Sequence, residues 1–248
     1  MFQRTLKLIF LLIITLSVNC LSSDIYWYIG AAFIKPANKI KELYESTYHD
    51  KVVIIAGGSG ILLQKIYFSK KGDIYMPGAE YFMSLAKKKK IILKSIDLIK
   101  QVPVFAYSPK TNYKITKLSD LCNNGIKIAL GDPKAMAMGK IYNKLKLKLP
   151  KRISECIDKY CIIKALNISQ IQNYVKMNIV DVGLLFESVA LNSHIPYFKI
   201  PEKFAVYDTA PLAILKYSSN VKKAKTLFKF IVKNIGIFKK FGYIPAKN

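Results

Sequence analysis

The chain has 248 residues, of which 52% are hydrophobic and 22% are charged, a composition that indicates a globular protein and excludes a disordered one. Its formal net charge is +25, from 40 Lys and Arg against 15 Asp and Glu. Sequence-specific readers of nucleic acid depend on arginine, and only Arg4 and Arg152 occur here, so no nucleic-acid partner is predicted. Attraction to an anionic membrane surface, steering of an anionic ligand and a general lysine bias of the source organism all stay open.

The first 23 residues have the pattern of a secretory signal. Arg4 and Lys7 precede an apolar run over residues 8–16, which small and polar residues follow. The run is shorter than a bilayer-spanning helix, and no other segment reaches about 18 uninterrupted apolar residues. Cys20 ends a stretch similar to a lipobox, although Asn19 is a poor residue before the cysteine. We therefore predict export to the periplasm or to the outer face of the cytoplasmic membrane. Either Cys20 is lipidated or the chain is cleaved a few residues later.

Strands and helices alternate along the rest of the chain. Up to residue 88 the pattern predicts strands at 25–29, 52–56 and 73–76 and helices at 37–48, 61–68 and 80–88. Beyond residue 100 it predicts strands at 102–107, 126–130, 162–165, 182–186, 198–200 and 212–214. It also predicts helices at 118–122, 135–145 and 169–177, one beginning at 188, and a long helical region at 220–241. This alternation predicts an α/β fold with a largely parallel sheet.

The cysteines and histidines do not suggest a metal site. An exported chain can oxidise, so Cys156 and Cys161 are candidates for a small disulfide loop. No CxxC pair occurs, and His49 and His194 are the only histidines, so no structural zinc site is predicted. No cofactor is predicted either.

Four segments share one physical feature, since each follows a predicted strand, is poor in charge and opens a helix. They are residues 30–33, 57–60, 134–139 and 167–169. A helix N-terminus leaves N–H groups unpaired and carries partial positive charge, and small residues there let an anion approach the backbone. Several such turns facing one another would enclose a tetrahedral oxyanion. Ser59, with Ser169 or Ser188, would add hydroxyl donors.

Any one of these segments is also typical of an ordinary strand-to-helix turn, so the prediction depends on their recurrence. The GGSG turn at 57–60 is neither a P-loop nor a dinucleotide fingerprint. It also differs from a nucleophile elbow by one position. No acid–base pair or nucleophile emerges elsewhere, and an enzyme is therefore not predicted.

Five motifs resemble the periplasmic molybdate-binding protein family in order and spacing, over nearly all of residues 25–244. They are AGGSGIL (56–62), KGDIYMPG (71–78), GDPKA (131–135), VGLLF (182–186) and KKFGY (239–243). The resemblance implies a type II periplasmic binding protein, with two lobes of mixed sheets flanked by helices. We expect lobe I to comprise 24–103 plus 209–248 and lobe II to comprise 104–208, with the ligand between them.

The ligand positions of that family fall on small or apolar residues in this chain: Ala32, Gly58, Ser59, Ala137, Met138, Ile168 and Phe186. Ala32 stands where the family has a serine and Phe186 where it has a tyrosine, so two side-chain donors are missing. Glu187 lies beside the site. Its carboxylate would repel a dianion unless it is turned away or bonded, could donate if protonated, or could add an oxygen to the metal centre as in some archaeal-type tungstate and molybdate binders. An ordinary solvated residue is the remaining interpretation.

The sequence therefore predicts an exported, monomeric binding protein that captures molybdate or tungstate and delivers it to an ABC permease. Sulfate, phosphate or a phosphorylated metabolite is the alternative ligand. A basic adhesion or colonisation factor on the same fold is the alternative from another class.

Overall fold

The computed structural model describes residues 24–246. The predicted signal and Cys20 lie outside the described residues. Within residues 24–246, no helix is both long and apolar enough to cross a bilayer. The strands are β1 (Ile25–Gly30), β2 (Val52–Gly57), β3 (Ile74–Met76), β4 (Ile92–Gln101), β5 (Pro103–Tyr107), β6 (Ile128–Gly131), β7 (Cys161–Ala165), β8 (Val182–Phe186), β9 (Tyr197–Lys199), β10 (Asp208–Leu215) and β11 (Ile244–Pro245).

The helices alternate with these strands. The α-helices are α1 (Ile34–Tyr48), α2 (Ser59–Ser69), α3 (Glu80–Lys88), α4 (Ala137–Lys146), α5 (Lys151–Tyr160), α6 (Ile168–Lys176), α7 (Glu187–Asn192), α8 (Val221–Lys233) and α9 (Ile235–Lys240). Short 3₁₀ turns span Ala31–Phe33, Leu118–Cys122 and Glu202–Phe204. Strand β4 and helix α5 were not predicted from the sequence.

The described strands form two mixed sheets, one in each lobe. The first has the order β11-β4-β10-β3-β1-β2 and the second the order β7-β6-β8-β5-β9. In the first sheet β1 runs parallel to β2 and β3, whereas β10 runs antiparallel to β3 and β4. In the second, β6 runs parallel to β7 and β8, whereas β5 is antiparallel to β8 and β9.

The mixed sheets that the family resemblance implied are therefore present, and the prediction of a largely parallel sheet is wrong. The reason lies in the strands that follow a passage between the sheets. β5 enters the second sheet from the first, and β10 enters the first sheet on the return, and each pairs antiparallel with its neighbours. These passages lie at Val102 and between Lys199 and Asp208. The lobe boundaries at 103/104 and 208/209 stay a prediction.

Strand β1 shows why the first sheet has such apolar strands. Trp27 and Ile29 are fully buried in the core on one face, together with residues of α1 and α8. Tyr28 is buried on the other face, among residues of α2 and α3. A strand covered on both faces needs an almost continuous apolar run. Burial on both faces therefore accounts for the apolar sequence of β1.

The parallel strands of each sheet end at a common edge. Gly30 is in register with Gly57 at the ends of β1 and β2, and Ile29 pairs with Met76 at the end of β3. In the second sheet Gly131 pairs with Ala165 at the ends of β6 and β7. The loops that follow these strands therefore emerge together from each sheet. Ligands of open α/β sheets bind at such carboxyl edges.

A disulfide bond joins Cys122 to Cys156 and so connects the 3₁₀ turn Leu118–Cys122 with α5. Cys161 is free and half-buried. The candidate pair Cys156–Cys161 is therefore wrong. Cys156 lies on the helix face that contacts the 3₁₀ turn, whereas Cys161 lies past the end of the helix and begins β7.

A polar cluster joins α4 to α5. The Tyr142 hydroxyl donates a hydrogen bond to Asp158 at 2.7 Å, and the Lys146 ammonium forms an ion pair with the same carboxylate. Burial raises the pKa of Asp158, but the hydrogen bonds from Lys146 and Tyr142 outweigh it and hold this pKa below its ordinary value. The ionised carboxylate therefore stabilises the contact between the two helices.

Candidate functional site

The carboxyl edges of the two sheets face each other across a small cavity. Its volume, counted as space for the centres of water-sized atoms, is about 20 Å³. The first lobe contributes Gly30, Ala31, Ala32, Gly57, Ser59 and Gly78 to its wall, and the second contributes Met136, Ala137, Met138, Ile168 and Phe186. None of these lining residues carries a charged side chain. The wall is therefore formed from backbone, one hydroxyl and apolar groups.

Four helical turns begin at this wall. The turn Ala31–Phe33 and helices α2 and α4 start without a hydrogen bond from a capping side chain. Helix α6 differs, because Asn167 accepts from the Gln170 N–H at 3.1 Å. The first N–H groups of a helix have no acceptor within it, and the helix dipole adds partial positive charge. The cavity is thus bordered by amide donors from both lobes.

Ser59 is the hydroxyl residue of the wall. It is buried, and its Oγ accepts a hydrogen bond from the Gly78 N–H at 3.0 Å. Its carbonyl accepts from the Tyr75 hydroxyl at 2.8 Å. These two contacts hold the first turn of α2 against β3 and the loop that follows it. Because the hydroxyl oxygen is used as an acceptor, its hydrogen stays available for an acceptor in the cavity.

The glycines flanking Ser59 have a different role from the one the sequence suggested. A Cβ on Gly58 would lie 2.1 Å from the Leu166 carbonyl oxygen and 2.6 Å from that of Ala135. The Gly60 N–H donates to the Ala135 carbonyl at 2.8 Å. The close approach that these glycines permit is therefore to the backbone of the second lobe. Gly58 itself does not line the cavity.

Phe186 and Glu187 separate at the end of β8. Phe186 is buried and closes the wall with an apolar ring. Glu187 does not line the cavity, since its Oε1 accepts from the Tyr197 hydroxyl at 3.1 Å and pairs with the Lys199 ammonium at 2.9 Å. The hydrogen bond and charge of Glu187 raise the pKa of Lys199. The carboxylate is thus directed to β9 and compensated there.

Other residues predicted as hydroxyl donors also lie apart from the cavity. Ser188 is buried and forms a hydrogen bond with Tyr243. Burial raises the pKa of the Tyr243 hydroxyl. The Tyr243 hydroxyl in turn donates to the Ala32 carbonyl and so positions the loop after β1. Ser169 lines a neighbouring cleft. Gly78, which lines the cavity, was missed, and only its position after a predicted strand could have indicated it.

That neighbouring cleft adjoins the cavity and is larger, with a volume of about 160 Å³. The two share Ala31, Ala32 and Ile168. Polar side chains line the cleft, namely Lys35, Ser169, Gln172, Asn192 and Ser193. An anion in the cavity could therefore carry a polar organic group that extends into this cleft.

Contacts between the lobes show that the structure is closed around the cavity. The Lys35 ammonium donates to the Asn192 carbonyl at 2.6 Å, and the Asn192 amide donates to the Phe241 carbonyl at 2.6 Å. On the other side, the Lys140 ammonium lies 3.9 Å from the centroid of the Tyr81 ring. Together with the Gly60–Ala135 hydrogen bond, these contacts hold α4 and α7 against the first lobe.

The chain is similar to known binding proteins over most of its length. A family model described as a bacterial extracellular solute-binding protein matches residues 25–244. A Haemophilus influenzae protein provisionally named as a binding protein is 28% identical over 240 residues, which cover 96% of each chain. A Bacillus subtilis protein provisionally named as a substrate-binding lipoprotein of an ABC transporter is 26% identical over 225 residues, covering 83% of this chain and 80% of that one.

Solved structures share the fold at low sequence identity. The periplasmic molybdate-binding protein of Azotobacter vinelandii has a TM-score of 0.75 at 16% identity, covering 90% of this chain and 100% of its own. The sulfate-binding protein SubI of Mycobacterium tuberculosis has a TM-score of 0.80 at 13% identity, covering 91% and 88%. PEB3 of Campylobacter jejuni, with L-phospholactate bound, has a TM-score of 0.72 at 16% identity, covering 89% and 99%. The fold is that of a type II periplasmic binding protein.

Proposed function

The chain belongs to the family of bacterial extracellular solute-binding proteins, and on that basis we propose that it captures molybdate or tungstate for an ABC permease. The family and the curated relatives are binding proteins, not enzymes. The observation that carries the proposal is the convergence of four helical N-termini on one cavity without a charged side chain.

Such a wall suits a tetrahedral oxyanion. Amide N–H groups and the Ser59 hydroxyl are donors only toward the cavity, and an ionised oxyanion offers acceptors in every direction. Without a counter-ion, the anion is released when the lobes separate and these donors part. The compensation of Glu187 by Lys199 and Tyr197 supports this proposal, since no unpaired carboxylate faces the ligand.

The size of the cavity supports a small ligand. It measures about 20 Å³, and on the same measure one water needs about 10–15 Å³. This volume is the space in which atom centres can lie, and the four oxygen centres of a tetrahedral anion fit within it. The many atoms of a free sugar or a peptide do not. Sulfate and phosphate compete with molybdate and tungstate at this size. The family resemblance of the GGSG, KGDIYMPG and GDPKA motifs favours molybdate or tungstate.

Thermal unfolding tests the ligand directly. We expect a large rise in melting temperature with molybdate or tungstate and a small one with sulfate or phosphate. A ligand at about 1,000 times its Kd stabilises by about 4 kcal/mol. Equal or larger shifts with sulfate would assign that ion instead. No shift with any of the four, together with retention on heparin, would replace the proposal with a basic adhesion factor.

A phosphorylated organic acid is the second candidate, because the polar cleft of about 160 Å³ adjoins the cavity. The phosphate would occupy the cavity, and its organic part would contact Gln172 and Asn192. L-phospholactate, which is bound in the PEB3 structure, is a suitable probe. A shift with L-phospholactate that exceeds those with inorganic phosphate and molybdate would favour this candidate.

We also propose residues 1–23 as the export signal, which ends before Cys20 where that cysteine is lipidated, with the mature protein held at the outer face of the cytoplasmic membrane or free in the periplasm. The name of the Bacillus subtilis relative as a lipoprotein supports lipidation at Cys20. Mass spectrometry of the mature chain tests this. A diacylglyceryl-modified Cys20 as the first residue is expected, and an unmodified N-terminus further along would show ordinary cleavage.

A further inference from the structure

The end of the first lobe remote from the cavity carries exposed aromatic and lysine side chains that the proposed function does not use. Helix α2 begins at the cavity and has 11 residues, a length of about 16 Å. Helix α3 also runs away from the cavity edge, with Lys87 and Lys88 in its last turn. We call the surface at these two helix ends the basic pole. It consists of Tyr67, Phe68, Lys70, Lys71, Lys88, Lys89 and Lys90.

Two aromatic rings stand on the basic pole. The Phe68 side chain is 80% exposed, and Tyr67 beside it is 38% exposed. Their rings meet edge to face with centroids 5.6 Å apart. The Lys89 ammonium lies 3.8 Å from the Tyr67 centroid. This contact fixes the tyrosine and leaves the phenylalanine as the outermost apolar group.

In the part of the chain that the structure describes, the lysines around these rings form no ion pair with an acidic side chain. Within residues 24–246, no salt bridge involves Lys70, Lys71, Lys88, Lys89 or Lys90. The nearby Asp73 is buried and accepts from the Tyr26 N–H at 2.7 Å. A helix dipole favours lysine at the end of α3, but it does not account for Lys71 or for the exposure of Phe68.

The N-terminal segment attaches to the same end of the lobe. Asp73 follows Lys71 by two residues, and its N–H donates to the Tyr26 carbonyl at 3.0 Å. β1 therefore starts beside the basic pole and runs from there to the cavity. Residues 1–23, with the predicted lipidation site at Cys20, are joined to the chain at this end.

We infer that the basic pole docks on an anionic lipid bilayer. Clustered lysines are attracted to acidic headgroups, and an exposed phenylalanine can enter the boundary between headgroups and acyl chains. A polyanion without an apolar part, such as heparin, would use the lysines but would leave Phe68 in water. Docking through this end leaves the cavity and both lobe edges accessible, so the protein binds its ligand while it rests on the membrane.

Vesicle sedimentation tests the inference with the chain lacking residues 1–23, so that no lipid or signal contributes. We expect strong partitioning to vesicles of phosphatidylglycerol and phosphatidylethanolamine and at least tenfold weaker partitioning to phosphatidylcholine alone. Because each lysine near an anionic surface contributes roughly a fivefold factor, the Lys70→Gln/Lys71→Gln variant should bind about 25-fold less. Phe68→Ser should bind about tenfold less, the order expected for one buried aromatic side chain.

Matched controls keep the test specific. Lys229→Gln/Lys233→Gln removes the same charge from α8, and Leu147→Ser removes a side chain that is 87% exposed on the second lobe. Both controls should partition like the wild type. Two results would overturn the inference in favour of general polyanion binding. One is an equal loss of vesicle partitioning in the controls. The other is unchanged partitioning of Phe68→Ser together with reduced retention of the Lys70→Gln/Lys71→Gln variant on heparin. Melting shifts with molybdate are recorded on the same samples, so a failure of the proposed ligand is distinguished from a failure of membrane docking.

Discussion

The Ser59 hydroxyl has one contact within the first lobe and a second, proposed contact with the ligand. Removing the hydroxyl tests both. In the closed structure its Oγ accepts from the Gly78 N–H at 3.0 Å, which leaves the hydroxyl hydrogen for the cavity. Ser59→Ala should therefore weaken the unliganded protein and, independently, weaken anion binding. The two effects have different causes and are measured in different assays.

The magnitudes follow from the partners. A hydrogen bond to a charged acceptor contributes about 1.5–3 kcal/mol, so Kd for the anion should rise roughly 10- to 150-fold. A buried N–H without its acceptor costs about 1–3 kcal/mol, and the free energy of unfolding without ligand should fall by that amount, less whatever a water in the cavity restores.

Isothermal titration with molybdate gives the first quantity, and denaturant unfolding without ligand gives the second. Ser154→Ala is the matched control, because Ser154 is also buried but donates to the Lys151 carbonyl at 2.8 Å in α5. That variant should lose some stability and keep its Kd. An unchanged Kd in Ser59→Ala, alongside reduced stability, would refute the role of the hydroxyl as a donor to the ligand and leave Ser59 with a structural role only.

Three further predictions concern closure, the disulfide bond and pH. Gly58→Ala should raise Kd roughly 5- to 150-fold through an overpacking cost of about 1–3 kcal/mol on closure, whereas Gly236→Ala, with no atom within 4 Å of the added Cβ, should leave Kd unchanged in titration. Reductant should lower the free energy of unfolding by about 4 kcal/mol, the chain-entropy value for a separation of 34 residues. Cys161→Ser should retain this sensitivity to reductant, and Cys156→Ser should lose it. The reverse result would mean that Cys122 pairs with a different cysteine. The folded pKa of Asp158 lies below the ordinary value of 3.8, so its ionised form stabilises the protein above that pH and the contribution is lost as pH falls below it. Asp158→Asn should therefore be less stable than the wild type at pH 7 and approach it in urea unfolding at pH 3; a constant difference would contradict this.

The sequence predicted the elements that have an unbroken apolar pattern or distinct end signals. β8 and α3 have the predicted bounds, because one is a buried apolar run and the other has a distinct start after Pro77-Gly78 and lysines at its end. β4 was missed because Lys94, Ser95 and Asp97 interrupt its apolar residues. It is half exposed, and its strand form depends on pairing with β10, a contact that forms only after the chain returns from the second lobe.

For the site, the sequence identified most of the wall but not the contacts behind it. Ala32, Ser59, Ala137, Met138, Ile168 and Phe186 all line one cavity, and their contact with an anion stays a prediction. Gly58 and Glu187 do not line it. A glycine at a helix start is consistent with close approach by a ligand or by backbone, and the positions of the Leu166 and Ala135 carbonyls decide between them. The pairing of Glu187 likewise depends on β9, which the sequence places ten residues away.

Charge is divided between the inside and the outside of this molecule. We expect the net charge of +25 to raise the concentration of anions near the surface and so to increase the rate at which the proposed ligand is captured, but this charge does not select among anions. The cavity wall has no charged side chain, and Lys35, which lines the adjoining cleft, donates to the Asn192 carbonyl across the lobes. Under the proposed function, selection and retention of the anion therefore depend on neutral donors that converge only when the lobes are closed. The Gly60–Ala135 hydrogen bond is one of the contacts that hold the lobes closed, so we expect opening to break it, to separate the donors of the two lobes and to release the proposed anion.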